Sequence, residues 1–257
     1  MKKIALLLFL LATTISFSQK SKTIEMGQTT LDELKMVVYD KDSTANAVVL
    51  YEHGNLFTDE EKEYDFSTDY YTRIKILKSD GLEQATFKIP FYKEERIYNI
   101  KGITYNLKNG SIDKKRLAKD QIFTKKNNEG LSEVSFTLPN VKVGSIIELR
   151  YRLTTPYIQN IDDWYFQGDI PKIKSEYDSS ILSNYQYNVR LVGSQKLDKN
   201  EPGIHRKCVK INTKEPDCNV ISVGMNNIPA FKEEDYMTSK RNFISRISFE
   251  LSTLVEY

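Results

Sequence analysis

The stretch Ser145-Ile146-Ile147-Glu148-Leu149-Arg150-Tyr151-Arg152-Leu153 decides the fold. Ile147, Leu149, Tyr151 and Leu153 fall on one side of an extended chain; Glu148, Arg150 and Arg152 fall on the other. Successive side chains of a strand point to opposite faces, so this alternation describes a strand with one buried and one wet face. The pattern recurs further along the chain. Tyr185, Tyr187, Val189 and Leu191 oppose Gln186, Asn188 and Arg190. Across Phe243–Leu251, Phe243, Ile247, Phe249 and Leu251 oppose Arg246, Ser248 and Glu250. More strands are expected at 47–57, 65–78, 96–107, 132–138, 173–183, 204–212 and 218–224.

Asp80-Gly81, Asn109-Gly110, Glu129-Gly130, Val143-Gly144 and Pro202-Gly203 punctuate these runs. Asn-Gly between two strands is a strong hairpin signal, because both residues tolerate positive φ. Many short strands with regular turns and few helices give an all-β fold. The reading is an antiparallel β-sandwich, as one unit or two halves in series, with an open barrel as the alternative. Short helices are expected at 85–90, 114–122 and 30–38. The last opens on Thr30-Leu31-Asp32-Glu33, where Thr30 and Glu33 cap each other's amides, and places Leu31, Leu34 and Val38 on one face.

The chain begins with Lys2-Lys3, an apolar run from Ile4 to Ala12, and small residues Ser16 and Ser18 at a cleavage site. This is the pattern of a signal peptide cut after Ser18. A bilayer-spanning helix needs about 20 apolar residues, so the run is too short to anchor the chain. No cysteine follows it to carry a lipid. The expectation is a periplasmic or secreted protein with no membrane span in its mature form. Its organisation reads as leader 1–18, N-terminal segment 19–45 with a short helix, and β-sandwich 46–257. A crossover lies near 155–172; its bulky aromatics make it a packed connection, unlike a flexible linker.

The whole chain has 37 basic and 35 acidic residues, and loss of Lys2 and Lys3 brings the mature form to balance. The densest basic stretch, Lys114-Lys115-Arg116 with Lys119, is flanked by Asp113 and Asp120 and reads as a solvated helix face or loop. Nucleic acid is not an expected partner.

Cys208 and Cys218 are the only cysteines, and a turn centred near Thr213 would set them opposite each other. They are the disulfide candidate in an oxidising compartment, with two reduced buried thiols as the alternative. A cysteine-dependent hydrolase would need Cys208 as a thiolate beside a histidine. His205, three positions away, points to the opposite face of a strand, and His53 sits in the turn-like Glu52-His53-Gly54-Asn55. No close Cys/His spacing marks a metal site, and Asp59-Glu60-Glu61 with Glu63 reads as a solvated loop. No phosphate-cradling glycine loop appears, so no cofactor is expected. Trp164-Tyr165-Phe166 either packs or, through Trp164 and Tyr165, stacks on a glycan. Tyr70-Tyr71, with Tyr64 and Phe66, reads as core.

Five stretches in order carry a family resemblance. They are Ala47-Val48-Val49-Leu50-Tyr51-Glu52; Ile100-Lys101-Gly102-Ile103-Thr104-Tyr105-Asn106-Leu107 before Asn109-Gly110; Val143–Tyr151; Trp164-Tyr165-Phe166-Gln167 with Ile170-Pro171; and Asn227–Glu234. Together, over about 45–255, they resemble a bacterial domain family of unknown function that stands ahead of transglutaminase-like, papain-related domains in exported proteins. The resemblance implies a non-catalytic accessory module that binds or scaffolds, with a transglutaminase-like domain as partner in cis or in trans and a glycan or peptide as candidate ligand. The family's catalytic Cys, His and Asp belong to the second domain, so none is carried over. The chain stops at Tyr257, where the family continues, and so reads as a stand-alone version or, the preferred reading, as a fragment of a longer protein. That reading expects an exposed apolar patch near the C-terminal strand.

Overall fold

The computed structural model describes residues 25–62, 65–126 and 130–255. The expected signal peptide over 1–18 lies outside them, as do Glu63, Tyr64 and Glu129. The strands begin with β1 (Ala47–Thr58), β2 (Phe66–Ile76), β3 (Thr86–Tyr92), β4 (Arg96–Lys108) and β5 (Ser111–Arg116). Next come β6 (Phe123–Lys126), β7 (Leu131–Thr137), β8 (Ile146–Thr155), β9 (Trp164–Tyr165) and β10 (Lys172–Leu182). β11 (Tyr185–Val192), β12 (Lys199–His205), β13 (Cys218–Ile228) and β14 (Arg246–Leu254) complete the series. Two short helices, α1 (Leu31–Lys35) and α2 (Lys240–Phe243), accompany them.

One sheet runs β12-β13-β10-β1-β2-β8-β4-β5, and two smaller sheets run β11-β14-β9 and β3-β7-β6. All named pairs are antiparallel except β1 with β10, whose parallel contact joins the two halves of the chain edge to edge within one sheet. The large sheet stays open, with β12 and β5 as its ends.

Both small sheets cover the same face of the large one, as the register of β2 shows. Ile74 and Ile76 pack with Ile89, Val134 and Phe136 of β3 and β7. Phe66, an even number of positions earlier on the same strand, packs with Trp164, Ile247 and Phe249 of β9 and β14. The other face carries Val48, Leu50, Ile103, Tyr105 and Ile146, covered at one end by Leu34, Tyr39 and Ala45 of the N-terminal segment. Each such buried aliphatic contributes about 1.5–3 kcal/mol, so these three clusters dominate the apolar stabilisation.

The strand expectations hold for most of the chain, and the departures have physical causes. Residues 86–92 form β3, where 85–90 read as a helix; the 3₁₀ turn precedes it at Ser79–Ala85. Pro90 is tolerated because β3 is an edge strand, where a missing N–H breaks no ladder. For the same reason Pro202-Gly203, read as a turn, lies inside the edge strand β12. The strand expected at 204–212 ends at His205, and Lys207 and Asn212 turn the chain at φ 53° and 55°. The helix expected at 114–122 is edge strand β5 to Arg116, then a 3₁₀ turn at Lys119–Gln121. Phe243 belongs to α2, so the last strand begins only at Arg246. The reciprocal Thr30–Glu33 cap forms, yet α1 is shorter than 30–38 and of its expected face only Leu34 is buried. Asn109-Gly110 does close the β4–β5 hairpin, with φ 51° and 77°.

Candidate functional site

Cys208 and Cys218 form a disulfide with their Cα atoms 5.8 Å apart. Cys218 opens β13, while Cys208 lies in the loop after β12. That loop is held by Cys208 N–H donating to the Pro216 carbonyl (3.0 Å) and Lys207 N–H donating to Asp217 Oδ1 (2.9 Å). With both sulfurs in the bond, the thiolate that a Cys208-dependent hydrolase needs is not formed.

His53 lies mid-strand in β1, not in a turn. Its Nε2 is 2.8 Å from Asp178 Oδ2, and the Ser222 hydroxyl donates to Asp178 Oδ1. Burial raises the Asp178 carboxyl, but the hydrogen bonds from His53 and Ser222 outweigh it and hold it below its ordinary value. In a hydrolytic triad the imidazole stands between hydroxyl and carboxylate to take the proton. Here the carboxylate stands between, so the cluster links three strands without activating Ser222.

A cleft of about 410 Å³ opens on the inner face beside the connection between β8 and β10. Buried Glu52 of β1 anchors its floor. It accepts from Lys172 Nζ (2.5 Å) and Ser175 Oγ (3.0 Å) on β10, and from Tyr70 Oη (2.9 Å) on β2. Lys172 also donates to the Tyr165 carbonyl at 2.9 Å. A buried ion pair holds only when hydrogen bonds offset its desolvation, and here Glu52 accepts three while Lys172 donates two. Tyr70, Tyr151, Trp164 and Tyr177 form the walls, with centroid spacings of 5.0 Å (Tyr70–Tyr151), 5.9 Å (Tyr70–Trp164) and 5.2 Å (Trp164–Tyr177). Gly54 lets the indole settle on β1, since a Cβ there would lie 2.5 Å from Trp164 and 2.8 Å from Tyr177.

Asp162 and Asp163 sit at the rim. Asp163 is taken up by Arg246 (2.7 Å) and Arg241 (3.3 Å). Asp162 forms no ion pair among the described residues; it is exposed at the rim, where partial desolvation by the surrounding protein, with Glu95 and Asp163, raises its carboxyl above the ordinary range.

The aromatic triplet divides as strand alternation requires. Trp164 is 8% exposed and donates its indole N–H to Ser175 Oγ at 3.1 Å; Phe166 is fully buried. Tyr165 turns outward, 39% exposed, with the Arg246 guanidinium 5.9 Å from its ring centre. Trp164 and Tyr165 therefore face opposite ways, the indole inward and the phenol outward. Asp59, expected in a solvated loop, is buried and accepts from Ser67 Oγ at 2.8 Å. The buried networks around Glu52 and Asp178 join residues more than a hundred positions apart, so local spacing gave no signal for them.

Near the C-terminal strand, Val189 and Leu191 on β11, with Leu254 and Val255, remain exposed. β14 pairs along its length with β11, but β9 meets only Arg246 and Ile247 on the other edge. Among the described residues no three His, Cys, Asp or Glu side chains group as a metal site, and no helix is long and apolar enough to cross a membrane.

A crystal structure of a candidate protease from Parabacteroides distasonis ATCC 8503 is similar to this chain, with a TM-score of 0.61 and 14% identity. The match covers 80% of this chain and 40% of that one, and at this identity it shows the fold alone. Leukotriene A4 hydrolase from Saccharomyces cerevisiae aligns at a TM-score of 0.32 and 14% identity, over 83% of this chain and 31% of that one. An M1 zinc metallopeptidase from Deinococcus radiodurans aligns at 0.30 and 8% identity, over 71% of this chain and 42% of that one. Neither of the last two carries an argument. This chain spans less than half the length of each. No curated protein matches it. The model of a domain of unknown function with a solved structure, DUF3857, matches residues 63–232, well over half of the 257. The chain therefore belongs to the DUF3857 family.

Proposed function

We propose that this chain is a non-catalytic accessory module of an exported, transglutaminase-like protein, and that it docks on a companion domain through the β11–β14 surface. One observation carries the reading. Val189, Leu191, Leu254 and Val255 stay exposed around a strand whose second edge, among the described residues, is paired at Arg246 and Ile247 alone. Exposed apolar groups beside an open strand edge are what a partner surface covers. The main buried ionisable groups support it too, because Arg73 with Glu148 and Lys172 with Glu52 satisfy one another. The likeness to part of a much longer chain agrees with a modular role.

Calorimetric titration of the protein with a transglutaminase-like domain tests the docking. A one-to-one complex is expected, weakened at least about tenfold by paired Leu191→Asp and Leu254→Asp substitutions and unchanged by Phe123→Asp on β6 of the other small sheet. No heat, or equal weakening by all three changes, would overturn it. Export is tested by intact mass after expression in a Gram-negative host. A periplasmic or secreted product beginning at Gln19 is expected, and a cytoplasmic product retaining Met1 would refute it.

A further inference from the structure

We infer that the cleft beside Trp164 binds a primary ammonium group on a short apolar stem. Four aromatic rings wall a space of about 410 Å³. The faces of such rings are electron-rich, and a cation desolvated against the wall they form is favoured. The charge balance points the same way. Glu52 and Lys172 neutralise each other at 2.5 Å on the floor, and Asp163 is spent on Arg246 and Arg241. Of the charged groups lining the cleft, Asp162 alone has no counter-ion among the described residues.

Two hydroxyls add direction. Tyr151 and Tyr177 line the cleft, and their hydroxyls have no protein partner among the described residues and stay open to the cleft. A hydroxyl without a protein partner can accept from a ligand without first giving up a protein hydrogen bond. Each can accept one N–H of an ammonium group, while Asp162 balances its charge at the rim. Leu56 and the ring faces suit the methylene stem. An anion would meet Asp162 and the electron-rich faces, and Lys172 already donates to Glu52 and to the Tyr165 carbonyl. A neutral alcohol would leave Asp162 uncompensated. This inference is independent of the β11–β14 docking surface.

Trp164 is the only tryptophan, so its emission, excited at wavelengths where the tyrosines do not absorb, reports this site alone. The probes are n-butylammonium chloride, n-butanol, sodium butyrate and Nα-acetyl-lysine methylamide, all at fixed ionic strength. A saturable change with butylammonium is expected, about tenfold tighter than with butanol, and none with butyrate. Asp162→Asn, at the exposed rim, is expected to weaken binding about three- to tenfold with an unchanged melting curve; Tyr151→Leu should weaken it further. Comparable binding of the lysine derivative identifies a peptide side chain as the source, and binding of butylammonium alone identifies a small free amine. Butanol matching butylammonium, Asp162→Asn binding unchanged, or no saturation with any amine would each overturn the inference.

Discussion

Arg73 and Glu148 face each other across the β2–β8 ladder, with Arg73 Nη2 2.6 Å from Glu148 Oε1, and they are 3% and 0% exposed. Glu148 also accepts from the Tyr71 and Tyr105 hydroxyls (2.7 and 2.5 Å) and from the Gly27 amide (2.8 Å). Arg73 reaches on to Glu33 and to the Gln28 carbonyl, both at 3.0 Å. One buried pair thus fastens the N-terminal segment to the outer face of the large sheet.

Removing one partner strands the other charge. Glu148→Gln is expected to cost about 3–5 kcal/mol in urea unfolding, and Arg73→Met a similar amount. The double change Arg73→Met with Glu148→Leu should cost less than the two singles added, because no charge is left buried. Additive losses would show that the two side chains do not act as a unit.

Lys75 lies beside this pair with no exposed surface, donating to the Leu34 and Gly144 carbonyls at 2.6 Å each. Burial pushes its ammonium down to about 8 from an ordinary 10.5. The folded chain therefore releases this proton first, and between about pH 8 and 10.5 the unfolded chain binds more protons, so stability rises with pH across that window. Above about pH 10, tyrosines ionise in the unfolded chain, whereas burial and then Glu148 raise Tyr71 in the folded one, and the slope reverses. Urea midpoints should climb from pH 8 to 9.5 in the native protein and stay flat in Lys75→Met. Parallel curves would remove Lys75 as the cause.

The two-residue period that marks β8 and β11 is visible without knowing the neighbours, but the face it reads as wet is not wet throughout: Glu148 is fully buried because Arg73, Tyr71 and Tyr105 close over it. The sequence hid the edge strands β3 and β12, whose Pro90 and Pro202 look like breakers until their place at a sheet edge is known. The disulfide was legible because ten residues and one turn separate its cysteines. The cleft was not. Glu52, Tyr70, Asp162 and Lys172 come from four separate stretches that the antiparallel β1–β2 pairing, the parallel β1–β10 contact and the crossover bring together. Trp164 was noticed as an aromatic, but the inward turn of its indole depends on Gly54 and Ser175, far away in the chain.

The Cys208–Cys218 bridge closes a short loop beside the small cluster of Leu182, Val209 and Cys218. Cross-linking a loop this short is worth about 2–3 kcal/mol through the entropy of the unfolded chain. Cys208→Ser with Cys218→Ser should lower stability by that amount and leave the Trp164 emission of the folded protein unchanged, since the bridge and the indole sit in different clusters. A thiol count of zero before reduction and two after it checks the bond itself; two free thiols in the native oxidised protein would dispose of it.

Gly54 gives the sharpest test of how the cleft is built. Alanine normally suits a strand better than glycine, because it restricts the unfolded chain. Gly54 has no positive φ to preserve, so backbone strain does not enter. The added methyl would instead lie 2.5 Å from Trp164 Cζ3 and 2.8 Å from Tyr177 Cδ2, well inside contact distance. Neither ring can retreat freely, since Trp164 is tied to Ser175 and Tyr177 packs against Phe249. Gly54→Ala should therefore cost about 1–3 kcal/mol and shift the Trp164 emission to longer wavelength as the indole is lifted towards solvent. Gly203→Ala is the control: its nearest neighbour is Val220 Cγ2 at 3.3 Å on an edge strand, and it should alter neither reading appreciably. An unchanged spectrum and midpoint in Gly54→Ala would mean that the indole does not rest on β1, and the cleft would lose the wall that defines it.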